Sequence, residues 1–287
     1  MVNKHLELAK KVLGGEVEIL STLHGGMMNE AYILKCNDEK YVFYIPTKQA
    51  NEMVDRTLEK ETQDIAEEIG VTRKTIYFDN KTGIKISKFI EGDSMNHKKN
   101  FDPKKVAELF LKLHSSKKKA KKNYNPFEKV ETYRKEALKY EKELNITFED
   151  IYDMVKHHED ELKRNDLVLC HNDSQRSNII VDNNNTYWLI DFEFAMNNDP
   201  IYDIAAFGND DVEDGLKVLK EYEKLAKVED GFNRYCLWRM LISLQWYLVA
   251  IIKHYRGEGK VHNIDFLTVA EFFLTIALKA QVKYITQ

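Results

Sequence analysis

The chain opens with two kinds of hydrophobic spacing. MVNKHLELAKKVLGG carries its apolar residues at helical intervals and predicts an amphipathic helix ending at Gly14-Gly15. Glu16–Leu23, Glu30–Cys36 and Tyr41–Ile45 are short runs rich in β-branched and aromatic residues. The first two are joined by HGGMMN and the third is closed by Pro46, a pattern that predicts strands of an antiparallel sheet. From Gln49 to Ile69 the spacing turns helical again through Met53, Leu58, Ile65 and Ile69, with Gly70 just past the end. Ile76–Phe78 and Ile84–Ile90 read as two more strands around the turn Asp79–Gly83. After Gly92 the pattern is mostly helical. Pro103–His114 has an apolar stripe of Val106, Leu109, Phe110 and Leu113, and Phe127–Leu144, Phe148–Arg164, Val212–Lys227, Asn233–Tyr255 and Asp265–Tyr284 follow as helices.

Composition narrows the class. The 287 residues are 43% hydrophobic and 31% charged, as in an ordinary globular protein. With 43 Lys and Arg against 47 Asp and Glu, the net charge of -4 argues against nucleic acid as a partner. The lysines at 117, 118, 119, 121 and 122 have no interleaved aromatic residues and read as a solvated linker. Cys36, Cys170 and Cys236 lie far apart, which suggests neither disulfides nor zinc and fits a reducing, cytoplasmic location. The N-terminus lacks the pattern of a signal peptide. The most apolar run, Met240–Ile252, contains Gln245 and falls short of the roughly 20 residues needed to cross a bilayer, so it reads as a core helix with no membrane insertion.

The chemistry concentrates in LVLCHNDSQRSNIIVDNNNTYWLIDFEFAMNNDPIYD, residues 167–203. Leu167–Cys170 is an apolar strand that delivers His171, Asn172 and Asp173 to its end. Ile179–Val181 and Tyr187–Ile190 form a hairpin around the turn-forming Asp182-Asn183-Asn184-Asn185. A turn centred between Asn184 and Asn185 would set Asn178 opposite Asp191. An amide oxygen and a carboxylate there are hard ligands suited to magnesium, and Asp173 is spaced to act as a base. Each residue alone is a common turn or cap former. Together, in the order Asp-x-x-x-x-Asn, hairpin, Asp, they are the parts of a phosphoryl-transfer site.

HNDSQRSNII followed by LIDFEF and DPIYDIAAF resembles the choline/ethanolamine kinases, nearest their bacterial choline kinase branch, within the wider group that includes the aminoglycoside phosphotransferases. LHGGMMNEAY resembles the family's phosphate loop, DRTLEKE its first-lobe helix, TGIKISKFIEG its interlobe strand and LFLKLHSS a helix ending in His-Ser. The resemblance implies an α+β, protein-kinase-like two-lobe fold, with a small antiparallel-sheet N-lobe carrying one helix over residues 1–91 and a larger, mainly helical C-lobe over residues 92–287. It implies ATP in the cleft and Mg2+ as cofactor. Asp173 would be the catalytic base, Asn178 and Asp191 the metal ligands, and Glu193 a member of the metal shell or a hydrogen-bond partner to it. Gly26 and Asn29 would lie over the phosphates, Arg56 and Glu59 would come from the first-lobe helix, and the backbone from Phe89 to Glu91 would meet adenine. Asp203 would brace the catalytic loop and His171 would anchor it.

One position departs from that pattern. The family places Lys or Arg on the third N-lobe strand to hold nucleotide phosphates, and the matching residue in YVFYIP is Tyr44, which has no positive charge at neutral pH. Glu59 would then lack its partner, and Lys35 or Lys88 are the candidates to replace it. On the acceptor side, Asp210 matches an acidic position after DIA, and Trp246 matches the first tryptophan of a Trp-x-x-Trp motif. The second falls at Val249, with Tyr247, Trp238 or Tyr255 as possible replacements; Trp238 itself reads as a core residue. A choline ammonium offers no hydrogen-bond donor, so aromatic faces and a carboxylate suit it. The expected activity is phosphorylation of choline by ATP. The alternatives are ethanolamine or an aminoglycoside as acceptor, or a catalytically weak pseudokinase suggested by Tyr44.

Overall fold

Alternating apolar residues build the sheet, and side-chain caps start most of the helices. The computed structural model describes residues 2–23, 29–98, 100–163 and 166–286. In chain order the elements are α1 (Val2–Leu13), β1 (Glu18–Leu23), β2 (Asn29–Cys36), β3 (Glu39–Pro46), α2 (Lys48–Met53), α3 (Arg56–Ile69), β4 (Thr75–Phe78), β5 (Lys85–Lys88), β6 (Gly92–Ser94), α4 (Pro103–His114), α5 (Pro126–Ala137), α6 (Ile146–His157), α7 (Glu159–Leu162) and β7 (Val168–Cys170). They continue as β8 (Ile179–Asp182), β9 (Tyr187–Leu189), β10 (Met196–Asn198), α8 (Pro200–Phe207), α9 (Val212–Ala226), α10 (Gly231–Tyr255), α11 (Glu258–His262) and α12 (Phe266–Ile285).

The chain divides into two compact units, and the division is not a single cut. The first comprises Met1–Lys99, Ala120–Lys122 and Ser177–Ala195; the second comprises Asn100–Lys119, Asn123–Arg176 and Met196–Gln287.

The first unit holds a five-stranded antiparallel sheet in the order β1-β2-β3-β5-β4. Leu34, Cys36, Tyr41, Phe43, Ile84 and Ile86 pack with Val17 and with Ala9 of α1 on one face. Because side chains alternate along a strand, Tyr44 of β3 and Lys85 of β5 point the other way. The helical pattern over 49–69 predicted one helix, but two form. Thr47 caps α2, and the Asp55 carboxylate accepts from the Leu58 N–H at 3.1 Å to start α3, so the backbone is extended at Val54 and Asp55. Gly70 closes α3 in the left-handed conformation, φ 75°.

A smaller sheet, β6-β8-β9, carries the hairpin of the first unit. Gly92 is opposite Asp182, and a Cβ there would meet the Val181 carbonyl oxygen at 2.3 Å, so only glycine fits. The hairpin register differs from expectation by one residue. Ile179 pairs with Leu189 and Val181 with Tyr187, and the Ile190 N–H bonds to the Asn178 carbonyl at 3.0 Å. Asn178 is therefore opposite Ile190, and Asp191 lies one residue beyond. The cause is the turn: Asn185 adopts φ 58° and the Asp182 N–H donates to Thr186 O, which makes a three-residue loop centred on Asn184.

The second unit is built on α10, whose buried residues run from Gly231 to Ile252. It is a helix long and apolar enough to cross a membrane, but 83% of its most apolar window is buried, packed against α5, α8 and α12. β7 pairs antiparallel with β10, Cys170 opposite Met196. The helix expected over 127–144 ends at Ala137, because Asn145 caps α6 and claims the segment before it as turn. The helix expected to run on to Arg164 stops at His157, followed by the short α7; Arg164 lies outside the described residues.

Candidate active site

In the second unit, β7 ends at Cys170, and His171, Asn172 and Ser174 just beyond it are held by one buried carboxylate. Asp203, fully buried on α8, accepts from the His171 N–H at 2.8 Å, the Asn172 N–H at 2.7 Å and the Ser174 hydroxyl at 3.2 Å. The same group is 3.0 Å from His114 Nε2, and His114 Nδ1 is 2.9 Å from the Tyr222 hydroxyl. Burial pushes the Asp203 carboxyl up, but the hydrogen bond and charge of His114, with the His171 charge and N–H, outweigh it and hold the group below its ordinary 3.8. Asn172 sits at φ 64° inside this clamp. The Asp173 N–H donates to His171 Nδ1 at 3.3 Å, and the half-buried Asp173 carboxylate accepts from Gln175 Nε2 at 3.1 Å.

His114 and Cys170 are within 4.8 Å of Asp203 by their ligand atoms, yet this trio is no metal site. His114 is engaged on both ring nitrogens, the Cys170 thiol donates to Asn198 O at 3.5 Å, and burial pushes that thiol well above its ordinary value. A metal needs thiolate.

In the first unit a cluster of buried charges gathers on α3, β3, β5 and the end of the hairpin. Glu59, 3% exposed, receives Arg56 Nη1 on one carboxylate oxygen at 2.6 Å and Lys85 Nζ on the other at 3.0 Å. Burial pushes Glu59 up, and the charges of Lys85 and Arg56 bring it below its ordinary value. Lys35 pairs instead with Asp38 at 3.1 Å and Lys88 with Glu39 at 2.8 Å, both at the surface. The partner of Glu59 is thus neither expected lysine but Lys85, which is opposite Tyr44 across the β3–β5 ladder and stands 4.8 Å from its ring centroid. Burial raises the Tyr44 hydroxyl to about 12. No local signal marks Lys85: β5 reads Lys-Ile-Ser-Lys, and only the packing turns Lys85 inward while Lys88 stays at the surface.

Glu193 is buried, and its Oε2, 3.8 Å from Arg56 Nη1, has no hydrogen-bond partner. Burial, then the charges of Asp191 and Glu59, push its carboxyl up to about 9. Two carboxylates in each other's field, one with an orphaned buried oxygen, fit a hard divalent cation. Asn178 is buried at the foot of the hairpin, and Asp191 follows its last pair with φ 68°. Asn29 begins β2, and its side-chain oxygen is buried without a hydrogen-bond partner. Gly26 lies outside the described residues. The Phe89 N–H donates to Lys40 O at 3.0 Å, and Glu91 O accepts from the Asn183 N–H at 3.1 Å while its carboxylate pairs with Lys40 at 2.9 Å.

The acceptor-side residues do not meet in one box. Asp210 is exposed in the turn after α8. Trp246 is half-buried and stacks on Phe273 of α12, 6.0 Å between centroids, whereas Tyr247 packs 5.4 Å from Phe148 of α6 and accepts from the Asn145 N–H at 3.4 Å. Trp238 is a core residue, with its indole N–H on Asp199 at 2.9 Å. Burial, and in smaller part the charge of Asp173, pushes up the hydroxyls of Tyr124 and Tyr202, which are in T-shaped contact at 5.6 Å. Sequence reasoning also missed Arg239, fully buried on α10, which donates to Ala205 O at 2.5 Å and Asn209 Oδ1 at 2.9 Å and so fixes the turn that carries Asp210.

Comparison with known proteins gives a consistent picture. Residues 20–214 match the family model described as choline/ethanolamine kinase. Protein LicA of Haemophilus influenzae is 22% identical over 255 residues, 82% of this chain and 74% of that protein. The crystal structure of choline kinase LicA from Streptococcus pneumoniae superposes with TM-score 0.76 at 23% identity, covering 100% of this chain and 99% of the other. A choline/ethanolamine kinase family protein from Mesorhizobium loti gives TM-score 0.73 at 19% identity, over 96% and 94% of the two chains. The shared architecture is the α+β, protein-kinase-like fold that the motifs imply.

Proposed function

Since the chain belongs to the choline/ethanolamine kinase family, whose model spans residues 20–214, we propose that it transfers the γ-phosphoryl group of ATP to the hydroxyl of a small amino alcohol, with choline as the acceptor. In this reading the acceptor oxygen attacks the γ-phosphorus, the bond to the β-phosphate oxygen breaks, ADP leaves, and the hydroxyl proton passes to Asp173. Asn178, Asp191 and Glu193 are the residues that would hold Mg2+. Bound there, the cation would supply charge neutralisation for the phosphates.

The observation that carries this reading is the Asp203 clamp, which fixes the backbone at His171 and Asn172 and so presents Asp173 at the end of β7. A base must be positioned before its basicity matters. The Glu59–Lys85 pair weakens the case for a pseudokinase, because the absence of a cation at Tyr44 is not the absence of a partner for Glu59. Use of ATP and the three buried free cysteines suit the cytoplasm.

The test is ATP consumption over a panel of choline, ethanolamine and aminoglycosides, with wild type and Asp173→Ala. Choline should be turned over fastest, and the variant should be slower by roughly a hundredfold or more. An Asp173→Ala protein with near-normal choline turnover removes Asp173 from the chemistry, and a wild type that prefers another acceptor reassigns the substrate.

A further inference from the structure

We propose that Lys85 is the phosphate-binding cation of the nucleotide site, supplying from β5 the charge that position 44 on β3 lacks. The proposal rests on the reading of the first unit as nucleotide-binding.

The geometry begins with the ladder. Tyr44 and Lys85 are direct partners in the antiparallel β3–β5 pair, so their side chains emerge side by side on one face. Phe43 and Ile86, the next partners, point into the apolar core on the other face. Moving a cation from 44 to 85 therefore shifts its origin by one strand spacing, about 5 Å, without changing the face. A lysine side chain is long enough to absorb that shift, and the Tyr44 ring takes up the space beside the ammonium at 4.8 Å.

A buried ammonium needs a reason. Lys85 is 5% exposed, and a lysine this deep is tolerated only when paired. Glu59 is its partner, but Glu59 is shared with Arg56, so two cations divide one carboxylate between them. Although burial works against its charge, the negative fields of Glu59 and Asp191 raise the Lys85 ammonium above its ordinary value, so it stays charged at neutral pH.

Beside this pair are two buried atoms of opposite character that lack hydrogen-bond partners, Arg56 Nη2 and Glu193 Oε2. Buried polar atoms are mostly paired, so two orphans in one charge cluster call for a partner. A ligand with anionic oxygens for the guanidinium and an associated divalent cation for the carboxylate would satisfy both, and a nucleotide polyphosphate has that chemistry. A Glu59–Lys85 bridge that only fastened α3 to the sheet would explain neither orphan.

The experiment is direct ATP binding by titration calorimetry, with and without Mg2+, and in parallel the KM for ATP and for choline. Lys85→Met keeps the length and removes the charge. It should weaken ATP binding by roughly ten- to a hundredfold, the range for losing a charged hydrogen bond, while the KM for choline changes little. Tyr44→Lys combined with Lys85→Met returns the ammonium to the neighbouring strand and should recover most of the lost affinity. Lys35→Ala, whose partner is the surface residue Asp38, should bind as wild type. Should Lys85→Met fail to fold, the double variant takes its place, with restored binding supporting the proposal and a folded but non-binding double variant overturning it. A folded Lys85→Met protein with unchanged ATP affinity also overturns it. Wild type that does not bind ATP at all refutes the nucleotide reading of the first unit itself, a result distinct from a failure of Lys85 alone.

Discussion

Replacing Asp203 by alanine should damage the second unit more than the loss of one surface charge could. The wild-type carboxylate accepts from two backbone N–H groups at 2.8 and 2.7 Å, from His114 at 3.0 Å and from Ser174 at 3.2 Å, and it is fully buried. Ser174 retains its other bond, to the Asp203 carbonyl at 2.7 Å, so three donors bear most of the loss. Hydrogen bonds to a charged group contribute roughly 1.5–3 kcal/mol each, but losses within one network do not add. Breaking a buried ionic network costs about 3–5 kcal/mol, which we take as the expected destabilisation. That is a midpoint shift on the order of 1–2 M urea. Turnover should also fall, because Asn172 at φ 64° is held in an unfavourable conformation by this acceptor and Asp173 is the next residue. The pH dependence has a definite sign. The folded carboxyl lies below its ordinary 3.8, so its contribution is complete above about pH 4 and is lost as pH falls through the folded value. The stability gap between wild type and Asp203→Ala, measured by urea unfolding, should therefore be constant from neutral pH to about pH 5 and close below pH 4. A gap under about 1 kcal/mol with turnover retained would refute the clamp.

Gly83→Ala should lower the melting temperature by a few degrees and raise the KM for ATP. Gly83 has φ 71°, and an added Cβ would lie 2.4 Å from Arg56 Nε, displacing the guanidinium from Glu59, at a cost of about 1–3 kcal/mol. The Glu193 carboxyl, pushed up to about 9, stays protonated in the folded state after the unfolded chain has lost its proton, so metal-free stability should fall as pH rises from 4.5 towards 9. Glu193→Gln should flatten that decline in melting curves recorded in chelator. Tyr124→Leu should raise the KM for choline more than Trp246→Leu does, by roughly 3- to 30-fold if one cation–aromatic contact is lost, since Tyr124 feels the Asp173 charge and Trp246 rests on Phe273. The reverse order would return the ammonium site to Trp246.

What could be read from the sequence followed the range of the interactions involved. The α4 helix is bounded as predicted, from Pro103 to His114, because its limits are local: Asp102 caps it, Pro103 opens it and its apolar stripe has one period. The split of α2 from α3 was missed because hydrophobic spacing runs on across Val54 and Asp55, and only the capping preference of Asp55 marks the break. Lys85 was missed for a different reason. Its partner Glu59 is 26 residues away, and nothing in the local pattern separates a surface lysine from one turned inward against Tyr44. His114 and Arg239 are the same case: long-range contacts give a buried polar residue its purpose, and those contacts exist only once the helices pack.

The hairpin shows why a one-residue error matters to the chemistry. Had Asp191 been a ladder partner of Asn178, the pleat would have set the direction of its side chain. It lies instead one residue past the ladder, with φ 68°, so local backbone twist aims the carboxylate. Eight non-glycine residues have positive φ among those described, and six of them, Asn37, Asp38, Lys117, Asn185, Lys227 and Asn263, are exposed in turns or at helix ends, where strain is cheap. The remaining two are Asn172, beside the proposed base, and Asp191, a proposed metal ligand, and neither is exposed. Asn and Asp are the side-chain-bearing residues that tolerate this conformation best. At both positions the conformer is held by the fold around it, which is the arrangement expected where position matters more than stability.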